Sequence, residues 1–324
     1  MKQPFDPIAE MNNKKHCYLV TGGAGFIGSK LVTSLMAGGA RVIVLDDLSS
    51  GRRDALPDGA ELVPGDIRDP DLVSGLMARC DGVFHLAACV SVTECIDRWA
   101  NASSINLAGT IAVFLAAQTN GNIPVVYASS AAVYGGGQPL PVSERSLPRP
   151  VSPYGADKLA SEHHAAAMWQ VKGLPSFGLR FFNVFGDGQQ ADSPYAGVIS
   201  RFMADRLADA PFTIFGDGLQ SRDFVHVDDI VRSLMVSMTR LTMQPGCEVV
   251  NVCTGHQTSL NELADLIDQV AQRQPVARRF AAPRGGDIRH SRGCTALARE
   301  TLGFSARIGL RDGLHRLWAS LAQR

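Results

Sequence analysis

The stretch Thr21–Ser29, reading TGGAGFIGS, decides the fold of this 324-residue chain. The run His16–Val20 before it is short and apolar, as expected for a buried parallel strand. After it, apolar residues recur at the spacing of an amphipathic helix, namely Phe26, Ile27, Leu31, Val32 and Leu35. The glycines therefore lie at a strand-to-helix junction.

Each glycine of this turn answers a separate physical need. Gly22 permits a tight turn, and Gly28 lets the helix lie close to the strand. Gly25 leaves the backbone N–H groups at the helix start, those of Phe26 and Ile27, open to a pyrophosphate. Taken alone, the motif also fits an ordinary strand-to-helix turn.

A carboxylate in the right place extends the pattern. The second predicted strand, Arg41–Leu45, ends in Asp46, about 20 residues beyond the turn, where a carboxylate accepts hydrogen bonds from an adenosine ribose. The sequence therefore predicts a dinucleotide site. Asp46 would repel a 2′-phosphate, which favours NAD over NADP. Arg52 and Arg53 argue for NADP, but they lie past the strand end and are expected to be solvated.

Strand and helix patterns keep alternating beyond this point. Glu61–Val63 and Gly82–Leu86 read as strands, and Asp69–Ala78 between them reads as a helix. Such βαβα repetition predicts an α/β fold with a doubly wound parallel Rossmann sheet.

Further candidates for cofactor binding follow the predicted strands. Asp66 and Ile67 lie in a turn where their side chains would flank an adenine. Ala87 and Ala88 are small enough to let the dinucleotide lie against the backbone, although tight packing explains them equally well. Asn106, a polar residue in the apolar helix predicted over 101–118, is expected to point inward.

The composition excludes several classes of protein. Lys plus Arg and Asp plus Glu both number 31, so no nucleic-acid partner is predicted. The seven cysteines form no CxxC pair and the eight histidines no HExxH spacing, so neither a disulfide framework nor a metal site is expected. Residues 1–15 read as a loose leader, and no apolar run reaches the roughly 18 residues of a membrane span. A cytoplasmic location is expected.

A candidate catalytic group lies in the middle of the chain. Tyr154 and Lys158 stand four residues apart on a predicted helix and share one face, although YxxxK also arises by chance. A free phenol has a pKa of about 10, and an ammonium one turn away favours the phenolate, which makes Tyr154 a candidate base. The strand before this helix ends in Ser129-Ser130, at the sheet edge where ligands bind. Hydroxyl, phenol and ammonium beside a nicotinamide would remove an alcohol proton as hydride leaves the same carbon.

Several motifs in one order resemble the extended short-chain dehydrogenase/reductases of the nucleotide-sugar epimerase and dehydratase group, from about Lys15 to the C-terminus. The motifs are TGGAGFIGS at 21–29, SSAAVYG at 129–135, SPYGADK at 152–158, RFFNVFG at 180–186, SRDFVHVDD at 221–229 and RGGDIRHS at 284–291. The resemblance implies NAD as cofactor, a UDP-sugar substrate, a homodimer joined through two helices and a role in polysaccharide biosynthesis. It also implies a Rossmann domain over 1–183 and about 225–255, and a smaller α/β substrate domain over about 184–224 and 256–324.

The resemblance further assigns roles to individual residues. Ser130 would hydrogen-bond the sugar O4, Tyr154 would take its proton, and Lys158 would tune Tyr154 and bind the cofactor ribose. The remaining residues expected to bind the substrate are Ser129, Asn183, Arg222, Arg284 and Asp287, the last four on the UDP portion.

The residues after Ser130 separate the activities of this group. Dehydratases resemble TDEVYG there, with an Asp and a Glu as acid and base, whereas this chain has Ala131 and Ala132. A 4,6-dehydratase is therefore not expected, and a UDP-sugar 4-epimerase is.

One position bears on which UDP-sugar is the substrate. In this family the fourth residue after the Asp287 position borders the C2 substituent, and a tyrosine there crowds out an N-acetyl group. Here it is Ser291, which favours UDP-GlcNAc and UDP-GalNAc. A 4-epimerase of UDP-glucose or a UDP-uronic acid stays open as an alternative, as does a non-catalytic NAD-binding regulator. Gly293-Cys294 departs from the Ala-Asp commoner in relatives.

Overall fold

A seven-stranded sheet carries the glycine turn in the computed structural model, which describes residues 16–189, 197–283 and 288–322. The strands in chain order are β1 Cys17–Thr21, β2 Arg41–Asp46, β3 Glu61–Pro64, β4 Gly82–His85, β5 Val125–Ser130, β6 Ser176–Phe181, β7 Asn183–Phe185, β8 Phe212–Phe215, β9 Ser221–Arg222, β10 Phe224–His226, β11 Cys247–Val252, β12 Thr258–Ser259 and β13 Arg278–Ala281. The sheet order is β11-β6-β5-β4-β1-β2-β3, and β1 pairs in parallel with β2 and β4, β2 with β3, and β4 with β5. The predicted doubly wound Rossmann sheet is confirmed.

Strand β1 lies where the strand order reverses. Val20 faces Val44 of β2 on one side and Phe84 of β4 on the other, so the chain leaves β1 in one direction and later returns to its opposite flank. All five residues of β1 are buried, as a strand covered on both faces should be. Ligands of such sheets bind beyond the carboxyl end of the strands at this reversal, which places the glycine turn at the expected edge.

Helices connect the strands in both parts of the chain. They are α1 Phe26–Ala37, α2 Pro70–Met77, α3 Val92–Asp97, α4 Trp99–Ser103, α5 Thr110–Thr119, α6 Pro153–Lys172, α7 Val198–Leu207, α8 Val227–Met243, α9 Leu260–Ala271, α10 Ala296–Leu302 and α11 Leu310–Ala322. Local sequence explains several boundaries. The Asp69 carboxylate caps α2 by accepting from the Leu72 N–H at 3.0 Å, and Pro70 occupies the first turn. Ser259 and Glu262 form a capping box at the start of α9.

The apolar helix predicted over 101–118 has a different internal structure. Between α4 and α5 the segment Ser104–Gly109 is a π-helix, which a regular 3.6-residue period does not predict. The combined stretch Trp99–Thr119, of 21 residues, contains an 18-residue window of mean hydropathy 1.4 and is the one among the described residues that is long and apolar enough to cross a membrane. Core packing explains its composition, because Val113 and Phe114 are buried in the core of the first unit.

Two compact units divide the chain. The first comprises residues up to Ser130, Pro153–Arg180 and Val231–Val250, and the second comprises Ala131–Ser152, Phe181–Ile230 and the residues from Asn251 onward. The second unit has its own core, in which the rings of Phe202 and Phe212 stack with centroids 4.8 Å apart. Its short strands pair as β7 with β10, β8 with β13 and β9 with β12.

Candidate active site

The glycine turn has the local geometry that its residues predict. Gly22 has a φ of +68°, and a Cβ there would lie 2.6 Å from the backbone N of Ala87. A Cβ on Gly28 would lie 2.2 Å from the carbonyl O of Gly22, so α1 packs directly on the turn. A Cβ on Gly25 would meet, among the described residues, only that same oxygen, at 3.3 Å. Packing therefore does not demand glycine at 25, and the space beside the start of α1 fits a pyrophosphate.

Asp46 ends β2 and ties its carboxylate to the turn. Its Oδ2 accepts from the Ala24 N–H and its Oδ1 from the Leu48 N–H, both at 2.9 Å. Burial raises the pKa of this carboxyl above its ordinary value, and the two backbone hydrogen bonds oppose that rise. Each carboxylate oxygen has capacity for a further hydrogen bond, so Asp46 can anchor the turn and accept ribose hydroxyls together.

The predicted adenine contacts, Asp66 and Ile67, differ in their surroundings. Asp66 is partly exposed and engaged by Arg68, whose Nε lies 2.9 Å from Asp66 Oδ2. This guanidinium holds the pKa of Asp66 below its ordinary value and also donates to Ser104 Oγ at 2.8 Å. Ile67 is buried. Their contact with adenine stays a prediction.

Asn106 points inward, as expected from the sequence, and binds the backbone of the loop after β4. It is fully buried in the π-helical segment, where its Oδ1 accepts from the Cys89 N–H at 2.8 Å and its Nδ2 donates to the Cys89 carbonyl at 3.0 Å. The same loop carries Ala87 and Ala88, both half-buried. Asn106 thus holds the backbone beside the two alanines that are predicted to contact NAD.

The structure brings Ser130, Tyr154 and Lys158 together within the first unit. The Lys158 Nζ is 5.8 Å from the centroid of the Tyr154 ring and donates to the Ala128 carbonyl at 2.9 Å. Burial raises the pKa of Tyr154 to about 12, whereas a hydrogen bond with Ser130 lowers it. The sequence predicted that Lys158 would lower the pKa of Tyr154. In the structure Ser130 lowers it, and the Lys158 ammonium donates to the Ala128 carbonyl, so the effect of Lys158 on the Tyr154 pKa stays a prediction.

Ser129, which precedes Ser130, contacts a buried ion pair that sequence reasoning missed. Its hydroxyl is buried and donates to Glu162 Oε1 at 2.5 Å. Arg180 holds the same carboxylate through Nε at 2.9 Å and Nη2 at 2.6 Å. An arginine inside the otherwise apolar strand SFGLRF was the available signal. The role of Ser129 in substrate binding stays a prediction, and its hydroxyl is engaged by Glu162.

His85 is a second group that the sequence did not reveal, and it joins β1 to β4 at the ligand-binding edge. Both ring nitrogens of His85 form hydrogen bonds with threonine hydroxyls. Nδ1 lies 2.7 Å from Thr21 Oγ1, and Nε2 lies 2.9 Å from Thr110 Oγ1. Burial, with a smaller effect from Lys158, lowers the pKa of His85 to about 3. The imidazole is therefore neutral and holds the strand ends in place.

Within the second unit, the Asp223 carboxylate joins two loops next to the predicted substrate residue Arg222. Its fully buried carboxylate accepts from the Thr254 N–H at 2.8 Å, the Thr254 hydroxyl at 2.6 Å, the Gly255 N–H at 2.9 Å and the Gly293 N–H at 3.3 Å. Burial raises the pKa of Asp223, and these donors oppose the rise. The acid lies beside Arg222 in the motif, yet nothing in the sequence indicated how many partners it has.

Three predicted substrate residues lie along this segment. The Asn183 N–H donates to the Asp223 carbonyl at 3.0 Å, and the Ser291 N–H donates to the Ser221 carbonyl, also at 3.0 Å. Arg222 Nη1 donates to that Ser221 carbonyl at 2.9 Å. The other two predicted residues, Arg284 and Asp287, lie outside the described residues.

The departure at Gly293-Cys294 has a packing reason. A Cβ on Gly293 would lie 2.5 Å from Cys253 Sγ and 2.7 Å from Phe182 Cζ, so alanine would not fit without a shift. The Cys294 N–H donates to the Val142 carbonyl at 2.8 Å. A larger residue at 293 would therefore force Cys253 or Phe182 to move.

A cavity and a set of thiols complete the description of possible binding groups. The second unit contains a cavity of about 700 Å³, lined by Phe215, Gly216, Asp217, Gln220, Phe280, Ala281, Pro283 and Arg289. All seven cysteines are free thiols. In the part of the chain that the structure describes, no three His, Cys, Asp or Glu side chains are grouped to hold a metal ion.

Comparison with known proteins decides the family. Residues 18–253 match the NAD dependent epimerase/dehydratase family. The chain belongs to this family. The UDP-glucose 4-epimerase of Mycolicibacterium smegmatis is 39% identical over 304 residues, which cover 91% of this chain and 95% of that relative.

Solved structures of family members extend the likeness. The UDP-N-acetylglucosamine 4-epimerase of Methanobrevibacter ruminantium, in complex with UDP-N-acetylmuramic acid, matches with a TM-score of 0.89 and 32% identity, over 96% of this chain and 100% of that chain. The UDP-glucose 4-epimerase of Brucella ovis, in complex with NAD, matches with a TM-score of 0.86 and 32% identity, over 94% and 98%.

This family member is a UDP-sugar 4-epimerase, and NAD is its cofactor. The regulator alternative is therefore not retained. The residues fit the cofactor, because Gly25 leaves an open cradle at the start of α1 and Asp46 retains acceptor capacity. Bound there, NAD supplies a hydride acceptor that can return the hydride within the same cycle.

Proposed function

We propose that this epimerase interconverts UDP-GlcNAc and UDP-GalNAc. The observation that carries the proposal is Ser291, a half-buried, small residue at the position expected to border the sugar C2 substituent. Its backbone is held by Ser221, next to Arg222. A hydroxymethyl side chain leaves room for an N-acetyl group where a tyrosine ring would not. The likeness to the M. ruminantium UDP-N-acetylglucosamine 4-epimerase supports this assignment.

The proposed reaction assigns one task to each catalytic residue. Ser130 holds the sugar O4, and the Tyr154 phenolate takes the O4 proton as the C4 hydride leaves and C4–O4 becomes a carbonyl. The 4-keto sugar rotates, hydride returns to its opposite face, and Tyr154 gives the proton back to O4. Lys158, an ammonium beside Tyr154, favours the phenolate in which the base must act.

The UDP portion is proposed to bind in the second unit. Asn183 and Arg222 are the described candidates, joined by Arg284 and Asp287 outside the described residues. Supporting this, the cavity of about 700 Å³ has the aromatic rings of Phe215 and Phe280 in its wall and is large enough for a nucleoside. Arginines suit a diphosphate because their planar fork binds two oxygens at once.

A UDP-glucose 4-epimerase is the second candidate, because the M. smegmatis relative carries that name. The test is to incubate the purified holoenzyme with UDP-GlcNAc, UDP-glucose and UDP-glucuronic acid in parallel and to quantify each C4 epimer. We expect UDP-GlcNAc to be epimerised without net NADH. Turnover of UDP-glucose or UDP-glucuronic acid without UDP-GlcNAc would overturn the proposed substrate.

Ser291→Tyr probes the pocket itself. Because the ring would fill the space of the N-acetyl group, we expect kcat/KM for UDP-GlcNAc to fall about tenfold or more, while that for UDP-glucose changes little. Ser291→Ala is the matched control and should retain both substrates. An unchanged preference in Ser291→Tyr would contradict the argument.

We also propose a cytoplasmic homodimer. Ile96, Trp99 and Val171 are exposed apolar side chains on helical segments of the first unit, at 54%, 60% and 75% exposure. Such residues suit the two-helix interface implied by the resemblance. Light scattering coupled to size-exclusion chromatography should give twice the mass of the chain.

A further inference from the structure

Asp157 is a buried carboxylate that the proposed reaction does not use. It precedes Lys158 on α6, is 7% exposed, and accepts from the Ser103 hydroxyl at 3.0 Å on both oxygens. Burial raises the pKa of Asp157, and the Ser103 hydroxyl and the Asn106 side-chain amide oppose that rise. Burying a carboxylate costs free energy because the group loses its hydration, so we expect Asp157 to serve a function.

The hydrogen bonds of Asp157 lead to the cofactor edge. Ser103 is the last residue of α4, and Asn106 lies in the π-helical segment that follows, where its side chain binds both backbone groups of Cys89. The connection thus runs from α6, which bears Tyr154 and Lys158, to the loop after β4. A change at Asp157 would alter the spacing between these two parts of the first unit.

Asp157 is also the negative charge that acts most strongly on Lys158. The titratable groups around that ammonium are Asp157, Tyr154 and Glu162 on α6, His85 on β4, Cys95 on α3, and Arg180 on β6 behind Glu162. Glu162 is compensated by its two-point contact with Arg180, and His85 is neutral. Asp157, in contrast, accepts its hydrogen bonds from the neutral Ser103 hydroxyl.

The lysine needs such a partner because of its own burial. Lys158 is 4% exposed, and burial lowers its pKa to about 8, with Asp157 the largest opposing influence. Without that influence the amine would lose its proton closer to neutral pH.

We propose that Asp157 is a positioning residue of the epimerase reaction, whose carboxylate holds Lys158 in its ammonium form and fixes the Cys89 loop through Ser103 and Asn106. The proposal rests on the role proposed for Lys158 beside Tyr154. It is independent of which UDP-sugar is the substrate.

The deciding measurement is kcat against pH for the holoenzyme and for Asp157→Asn, using whichever UDP-sugar the wild type epimerises. Loss of the charge should move the alkaline limb of the profile down by roughly one pH unit, because the neutral amine then forms at lower pH. Activity at pH about 8.5, relative to its own maximum, should fall severalfold more than in the wild type. An alkaline limb that coincides with that of the wild type would overturn the proposal.

Ser103→Ala is the matched control, since it removes the hydroxyl donor and leaves the carboxylate. We expect it to release NAD more readily, assayed on the protein after gel filtration, without moving the alkaline limb to lower pH. If Asp157→Asn does not fold, Asp157→Ser removes the same charge and makes the same test. A wild type inactive on UDP-GlcNAc but active on UDP-glucose would refute the proposed substrate alone, and the pH comparison would still decide the role of Asp157.

Discussion

Replacing Gly25 by alanine tests whether the glycine turn holds a pyrophosphate. Gly25 has a φ of −78° and a ψ of 179°, a conformation that alanine adopts without strain. Its added Cβ would meet, among the described residues, only the Gly22 carbonyl O, at 3.3 Å. One contact of this kind needs a shift of a few tenths of an ångström, so the free energy of unfolding should change by less than ~1 kcal/mol.

The same methyl group would stand in the space proposed for the cofactor. It would push a pyrophosphate away from the N–H groups of Phe26 and Ile27 at the start of α1. Loss of one hydrogen bond to a charged oxygen costs ~1.5–3 kcal/mol. NAD binding should therefore weaken ~10- to 100-fold while the fold persists.

Gly28→Ala is the comparison that separates packing from binding. Its Cβ would lie 2.2 Å from the Gly22 carbonyl O and 2.6 Å from Gly23 Cα, both backbone atoms. We expect it to lose ~1–3 kcal/mol of unfolding free energy or more. The assays are urea unfolding of protein stripped of nucleotide, and titration of that protein with NAD. Wild-type NAD affinity in Gly25→Ala would refute the pyrophosphate assignment, and equal destabilisation of both variants would refute the packing argument.

Two further substitutions test the catalytic and supporting groups. Tyr154→Phe should lower kcat by ~10²–10⁴, the range typical of a lost general base, with NAD content unchanged; an active variant would place the base elsewhere. Glu162→Gln breaks the buried pair with Arg180, so unfolding free energy measured in urea should drop by ~3–5 kcal/mol. Glu61→Gln, at a pair with Arg79 whose side chains are 42% and 45% exposed, should cost ~1 kcal/mol or less, and equal losses would contradict the reasoning.

The local geometry of the glycine turn was predictable because it depends on neighbours in sequence. Gly22 has a positive φ, and Gly28 lies against Gly22, six residues earlier. These features of the turn could therefore be predicted from a few consecutive residues. The same holds for the strand order, since alternating strands and helices permit few arrangements. Family resemblance then supplied Ser130, Tyr154 and Lys158, which the structure brings together.

The groups that support the site could not be predicted from the sequence, because they are far apart along the chain. Ser129 and Glu162 are 33 residues apart, and Arg180 lies another 18 beyond, so their meeting depends on which face of α6 packs on the sheet. In the sequence, Asp157 is one polar residue among several in the helix predicted around Tyr154 and Lys158. Its partner Ser103 is 54 residues away, beside a π-helical segment that periodicity cannot anticipate.

The carboxyl ends of the parallel strands in the first unit show a common chemistry. Thr21 ends β1, Asp46 ends β2, His85 ends β4, and Ser129 lies one residue before the end of β5; all four side chains are buried. Apolar residues of similar volume would often be as stable or more stable there, so stability alone does not account for them. Their hydrogen bonds to other protein groups hold the binding edge in one geometry. A site arranged in advance loses little conformational entropy when NAD binds, which favours tight binding of the cofactor.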